Sequence, residues 1–227
     1  MLRITGVLLI ALLAQVESHL PVRLGYTGKH LSTADVQDIA SLLPEDPGNI
    51  WLAVGHAPNL LNEPRWYVEV FLAPDRTTPA LRRGRVETVV AALSGPQAYS
   101  GPKQWQKSAT AEYAQVPVRG TDPTRVVDGD DLNRPFRVVG SFTDEDLIAI
   151  VDYIRSRPVA RDRANQRGPF TDRARGEWPI GFIVRSGDDV EVTLLEPKDR
   201  EKSGQRAALR RDGRHWTLTR VGYWIAD

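Results

Sequence analysis

The feature that most constrains the fold is a helix-start pattern that occurs twice in the chain. Ser32 and Thr143 each follow an apolar residue, and an acid, Asp35 or Asp146, comes three positions later. A hydroxyl and an acid at this spacing form a variant of the capping box, and the flanking apolar pair can form a hydrophobic staple. Apolar residues then recur at helical spacing, at Val36, Ile39, Ala40 and Leu43 in the first segment and at Leu147, Ile150, Val151 and Ile154 in the second. Each pattern stops before a proline, so the sequence predicts two amphipathic helices.

Four predicted strands follow each helix. They cover residues 50–55, 65–73, 85–93 and 105–118 in the first set, and 178–185, 190–195, 205–210 and 215–226 in the second. The two sets share a phrase, VEVFLAPDR at 68–76 and VEVTLLEPKDR at 190–200. We therefore expect an α+β fold class with two αββββ units, each a helix packed on a four-stranded antiparallel sheet. A true duplication and a chance similarity of the two stretches both remain open.

The first 18 residues have the pattern of a secretory signal. A basic start at residues 1–3 precedes an apolar run at 4–16, and a small residue, Ser18, stands before His19. The run is shorter than the roughly 20 residues of a membrane span, so a cleaved signal is favoured over a retained anchor or a buried first element. The predicted domains are a signal peptide at 1–18, a first lobe at 19–118, a linker at 119–135 and a second lobe at 136–227. The linker is rich in Pro, Gly and Asp, which is typical of a surface connection.

The composition excludes several classes of function. The 227 residues include no cysteine, and 30 basic side chains face 29 acidic ones, which gives a net charge of +1. The lack of cysteine excludes disulfides, thiolate metal sites, iron–sulfur clusters and thiol catalysis. Balanced charge gives no global attraction to nucleic acid or to an anionic membrane. We expect a bacterial protein that is secreted or periplasmic, with no nucleic-acid partner and no membrane span after signal removal.

The predicted plan resembles known architectures. One helix across a four-stranded antiparallel sheet resembles the cystatin-like architecture, and the phrase LLEPK at 194–198 makes the pair of units similar to the tandem, non-catalytic N-terminal domains of copper amine oxidases. The segments 211–216 and 224–226 also resemble the terminal strand pair of exported NTF2-like proteins, in which a Trp after a tight turn seals the cone. These resemblances imply a fold and no activity. No tyrosine follows an asparagine, as the amine oxidase cofactor motif requires, and Pro117 interrupts the cystatin inhibitory wedge.

No set of residues with catalytic or metal-binding spacing emerges from the sequence. The chain has no G-x-S-x-G elbow and no phosphate-binding glycine loop, and its S-x-x-K at 100–103 carries Gly and Pro in the middle. No two of its four histidines stand two or four residues apart, and the acidic segment 128–133 fails the EF-hand spacing, which leaves an irregular calcium loop as an alternative. Glu69 and Glu191 occupy matching strand positions, and the alternation of neighbouring valines favours the outer face of the sheet for both. We predict no catalytic residue, no metal and no cofactor.

Two segments have the composition of a binding surface. The loop 94–102 repeats Ser-Gly-Pro around Tyr99, close in sequence to Trp105, and the stretch 155–175 holds seven arginines against two aspartates. Guanidinium groups bind carboxylates and phosphates well. The predicted binding residues are Tyr99, Trp105, Arg155, Arg157, Arg161, Arg163 and Arg167, and the partner is an unknown protein, a polysaccharide or a small anionic ligand.

The sequence as a whole predicts an exported, non-enzymatic binding or interaction module. The alternative is an NTF2-like small-ligand carrier or enzyme, because cones of that type hold activity in scattered residues that no motif reveals. A filled, apolar interface between helix and sheet favours the module. A deep pocket with convergent histidine or carboxylate groups favours the carrier or enzyme.

Overall fold

A computed structural model of the protein describes residues 23–24, 33–43, 50–56, 65–92, 103–122, 131–156, 176–196, 203–213 and 215–225. The predicted signal peptide and the loop that holds Tyr99 lie outside the described residues, as does most of the arginine-rich stretch. The described residues include two helices, α1 (Thr33–Ser41) and α2 (Asp144–Arg155), both at the predicted positions.

Eleven strands account for most of the described chain. They are β1 (Arg23–Leu24), β2 (Ile50–His56), β3 (Arg65–Leu72), β4 (Arg76–Thr77), β5 (Arg82–Ala92), β6 (Trp105–Gln115), β7 (Phe136–Val139), β8 (Ile180–Ser186), β9 (Asp189–Leu195), β10 (Ser203–Asp212) and β11 (His215–Ile225).

The prediction of two separate four-stranded sheets is wrong, because the strands form one continuous mixed sheet. Its order is β1-β2-β3-β5-β6-β7-β8-β9-β10-β11, and β4 pairs with β5 beside this path. The structure is mostly β, with two short helices among the described residues. The link between the predicted units is the antiparallel pairing of β6 with β7, in which Glu112 lies opposite Val138. An unpaired β6 would leave a long row of backbone donors and acceptors open, and β7 covers part of it.

The parts of the sheet before and after this link have the same order of elements, apart from the short β4. In the first part β1 pairs in parallel with β2, and α1 lies between them in the chain. In the second part β7 pairs in parallel with β8, and α2 lies between them. A helix is the usual crossover between parallel neighbours, and the strands that follow each crossover pair antiparallel. The duplication and the lobe boundaries stay predictions.

Both helices pack against the same face of the sheet. Ile39 of α1 and Leu43, two residues beyond its end, contact a cluster on β3, β5 and β6 that includes Trp66 and Val89. The apolar residues of α2 contact the second cluster, which extends from Ala114 on β6 across β7 to Trp216 on β11. The strand registers place both clusters on one side. The predicted core positions Ile39, Leu43, Leu147, Ile150, Val151 and Ile154 are all buried. Since each such side chain contributes about 1.5–3 kcal/mol when it is fully buried, these filled interfaces hold the helices in place.

The predicted cap of α2 is confirmed. The Thr143 hydroxyl accepts a hydrogen bond from the Asp146 amide at 3.1 Å. The Asp146 carboxylate does not bond back to the cap as predicted. It pairs instead with Arg185 at 3.3 Å and with Arg211 at 3.2 Å. A guanidinium is a stronger partner than a neutral amide, and two are within reach. The matching cap residue of α1, Ser32, lies outside the described residues.

The other side of β5 packs against Tyr113 at a glycine. The fully buried Tyr113 donates its hydroxyl hydrogen to the carbonyl of Leu72 at 2.7 Å, and its ring meets Phe71 edge-on at 5.4 Å between centroids. A Cβ on Gly84 would lie 2.8 Å from the Tyr113 ring. The absence of a side chain at position 84 therefore makes room for the tyrosine.

We expect Thr143→Ala to lower the free energy of unfolding by about 1 kcal/mol, because the Asp146 amide loses its acceptor. Urea denaturation followed by circular dichroism measures this change. The matched control is Ser141→Ala, an exposed site two residues earlier, which should leave the midpoint unchanged. Equal effects of the two variants would contradict the capping role.

Gly84→Ala should destabilise the protein by about 1–3 kcal/mol, because the new methyl group forces the buried Tyr113 ring to move. Thermal unfolding of this variant is compared with that of Gly222→Ala, since a Cβ at Gly222 meets nothing within 4 Å. A similar melting temperature for both variants would show that the tyrosine packing imposes no constraint at position 84.

Candidate functional site

An open groove of about 560 Å³ lies over β5 and β6, and most of its lining side chains belong to the helix-bearing face of these strands. At one end of these strands Val89 and Trp105 belong to the core under α1, and at the other end Ala114 belongs to the core under α2. We call the space between these cores the interhelix groove. It is lined by Asp75, Arg76, Arg83, Gly84, Arg85, Thr110, Ala111 and Glu112.

The groove has a charged floor because of side-chain alternation along its strands. Arg83, Arg85 and Glu87 stand at alternate positions of β5 and therefore share a face. On the neighbouring strand, Glu112 lies opposite Arg85 and Thr110 lies opposite Glu87. Opposite charges on adjacent strands stabilise the pairing of those strands.

Glu87 is a fully buried carboxylate at one end of the floor. It accepts a hydrogen bond from the Thr110 hydroxyl at 2.6 Å, and it pairs with Lys107 at 2.8 Å and with the Arg85 Nε at 3.2 Å. A buried carboxylate is costly unless it is paired and hydrogen-bonded. Glu87 Oε2 has the hydrogen bond from Thr110 and the pair with Lys107, whereas Oε1 has the ion pair with Arg85 and no hydrogen bond. Two cations therefore share one carboxylate at this end of the groove.

Arg83 ties the other end of the floor to the start of α2. Its Nε donates to Glu112 at 2.8 Å, and one terminal nitrogen donates to the Asp144 carboxylate and to the carbonyl of Phe142, both at 3.1 Å. Asp144 also pairs with Arg76 at 2.7 Å. Because Asp144 is the first residue of α2, its negative charge is also favoured by the helix dipole.

These groups line up into an alternating row of charges, which we call the charge chain, and its two halves are joined by the cross-strand neighbours Arg85 and Glu112, which form no ion pair. Its members, in order, are Lys107, Glu87, Arg85, Glu112, Arg83, Asp144 and Arg76. Cations stand at both ends, and they outnumber the carboxylates by one. Asp75 lines the groove outside this row and opposes the positive excess. The chemistry of the groove is therefore ionic recognition, in which guanidinium groups can fork a carboxylate.

Of the predicted binding residues, Trp105 is described and is buried. Its indole Nε1 donates to Asp35 at 2.9 Å, and the same carboxylate pairs with Lys103 at 3.0 Å. The Lys103 ammonium also lies 4.9 Å from the centre of the Trp66 ring. These contacts attach the first turn of α1 to the start of β6.

Arg155, the second described member of the predicted set, lies at the end of α2. Its terminal nitrogens donate to the carbonyls of Val116 at 2.8 Å and Leu132 at 2.7 Å, and burial lowers the pKa of its guanidinium. The structure does not bring Arg155 or Trp105 into the interhelix groove. Tyr99, Arg157, Arg161, Arg163 and Arg167 lie outside the described residues. Ligand binding by these seven residues stays a prediction.

The two matching glutamates have different surroundings. Both lie on the sheet face away from the helices, as the alternation predicted, but Glu69 is buried there. Arg134 and Arg137 approach its carboxylate at 3.6 and 3.8 Å, and burial together with Glu69 raises the pKa of the neighbouring Tyr67 far above its ordinary value. Glu191 is partly exposed and faces Arg206 at 3.7 Å. Of these two glutamates, only Glu69 therefore has a buried carboxylate.

Two kinds of feature are absent from the described part of the chain. It contains no group of three or more histidine, aspartate and glutamate side chains that could hold a metal ion. Its helices are also too short or too polar to cross a membrane.

The sequence interpretation missed the residues of the charge chain. Their signal lies in residues 82–87, which read RRGRVE, and in 107–112, which read KSATAE. Charges at alternate positions of a strand, with buried apolar residues at both of its ends, indicate a solvated strip between two cores. Arg76 and Asp144 lie outside these two segments, and their place in the charge chain follows only from the fold.

Comparisons with known proteins do not assign a family. No protein-family model matches the chain, and no curated protein matches it. A solved structure described as "Ntf2 like protein involved in plasmid conjugation" is similar at 11% identity over 87% of this chain and 89% of that chain, with a TM-score of 0.21. A TM-score this low carries no argument about fold or function. The resemblances to NTF2-like proteins, cystatins and amine oxidase domains stay predictions.

Replacing Arg83 by Gln should lower the free energy of unfolding by about 2 kcal/mol, because two carboxylates and a carbonyl lose a charged donor. The control is Arg206→Gln, which removes one exposed arginine paired at 3.7 Å and should cost less than about 1 kcal/mol. Denaturant titration compares both variants with the wild type. A loss for Arg83→Gln no larger than that of the control would contradict the linking role of Arg83.

Proposed function

We propose that the protein is an exported, non-enzymatic binding module, and that its interhelix groove takes an extended polypeptide segment of a partner protein. The observation that carries this proposal is the open groove of about 560 Å³ with its regularly spaced charged floor. Export is proposed from the N-terminal sequence pattern alone.

The spacing of the floor favours a polypeptide over the other predicted partners. Arg83, Arg85 and Glu87 follow each other at two-residue intervals, which is about 6.6–6.8 Å along a strand. An extended peptide repeats its side chains on one face at the same interval. A segment that lies along β5 can therefore place alternate side chains against successive charges, as in other modes of peptide recognition.

The packing of the helices supports a binding module over a small-ligand carrier. Trp66 and Val68 of β3 fill the interface between α1 and the sheet, and Leu147 and Ile150 of α2 fill the interface between that helix and the sheet. All four side chains are almost completely buried. A carrier needs a cavity between its layers, whereas a filled interface leaves the outer surface for recognition.

Blocking the groove tests the proposal directly. Thr110→Trp places an indole in the groove, whereas Ala109→Trp places the same group on the opposite face of the same strand. Fluorescence anisotropy measures the binding of an acidic, a basic and an uncharged labelled peptide, each about ten residues long.

We expect at least one of these peptides to bind the wild type, and Thr110→Trp to weaken its binding by about tenfold or more. Ala109→Trp should bind like the wild type, and circular dichroism should show that both variants are folded. If no peptide binds, or if both variants weaken binding equally, the groove is not a peptide site.

A further inference from the structure

We infer that the partner segment is acidic, and that Arg76, Arg85 and Lys107 receive its carboxylates. This inference rests on the proposed function, because it names the class of ligand for the same groove. Three observations on the charge chain lead to it.

The first observation is that three of the four cations in the charge chain are more exposed than two of its three carboxylates, whereas Arg83 (16% exposed) and Glu112 (43% exposed) are the exceptions. The side chains of Arg76, Arg85 and Lys107 are 65%, 50% and 43% exposed. The carboxylates beneath them, Glu87 and Asp144, are 1% and 13% exposed. A ligand that lies over Glu87 and Asp144 therefore meets positive groups first.

The second observation is that each of these cations uses only part of its bonding capacity. Arg85 pairs through Nε with Glu87, and its terminal nitrogens have no partner among the described residues. Arg76 pairs with Asp144 through one terminal nitrogen. Lys107 contacts one carboxylate, although an ammonium has three N–H donors. The remaining donors of all three residues are available to a carboxylate from outside.

The third observation is that Glu87 holds Arg85 and Lys107 as a pair. The two cations come from adjacent strands, and both contact the same buried carboxylate, which Thr110 also holds. Two fixed cations above one carboxylate leave a local excess of one positive charge. Donors that are already in place cost a ligand less ordering than free side chains would.

The neighbouring acids define where the carboxylates of the segment cannot lie. Asp75 and the half-exposed Glu112 are accessible negative groups of the groove. Both groups repel acidic side chains, so a partner segment that places a carboxylate between Asp75 and Glu112 is disfavoured. An acidic segment is therefore held at the Arg85–Lys107 pair and at Arg76.

The test compares charge variants on opposite faces of the sheet. Arg85→Ser with Lys107→Ser removes the outward pair. Arg206→Ser with Arg220→Ser removes the same number of exposed positive charges from the other face, away from the groove. The acidic, basic and uncharged peptides are titrated into each protein at low and at moderate salt.

We expect the acidic peptide to bind the wild type about tenfold more tightly than the other two, with an advantage that falls as salt rises. The Arg85/Lys107 double variant should lose about tenfold in affinity for the acidic peptide, because two partners of its carboxylates are removed. The Arg206/Arg220 variant should bind like the wild type.

Equal losses in the two double variants would overturn the inference, because the effect would then reflect total charge. If the basic or the uncharged peptide binds best and Thr110→Trp still blocks it, the acidic ligand is ruled out while the groove remains the binding site. If none of the peptides binds, the proposed function itself fails.

Discussion

Strands β5 and β6 each run from one hydrophobic core to the other, and the rest of the structure depends on that span. Val89 and Ala91 pack under α1, whereas Leu81, the residue before β5, belongs to the core under α2. Neither helix covers the middle of these strands, so side chains there must be compatible with water. The sheet is continuous because the same strands serve both cores, and the interhelix groove is the uncovered middle.

The uncovered strip is charged, and its charges are arranged so that burial is tolerated. Glu87 and Asp144 are the least exposed carboxylates of the charge chain, and each pairs with two cations. Removing charged groups from water costs several kcal/mol per ion unless close partners compensate. The same arrangement that stabilises the buried carboxylates also fixes the outward cations, so stability and recognition have one physical origin.

Local signals predicted the helices well. The helix faces and the Thr143 cap follow from periodicity and from contacts within four residues, which a sequence shows directly. The fold class was wrong because it depends on the pairing of β6 with β7, a four-residue strand directly after the predicted linker that is too short for a clear alternation pattern. Composition drew attention to Trp105 and Arg155, but burial and backbone carbonyls decided where those side chains point. The charge chain joins residues from Arg76 to Asp144, and contacts of that range follow only from the fold.

The most direct measurement of the central claim is an NMR titration of the ¹⁵N-labelled protein with an acidic peptide. It follows the Nε–Hε signals of the arginines and the backbone amides of β5 and β6. We expect the largest shift changes at Arg76 and Arg85 and at the amides near Lys107 and Thr110, with little change at Arg206. If the largest changes fall on the opposite face of the sheet, or at Arg155, the interhelix groove is not the acidic-ligand site.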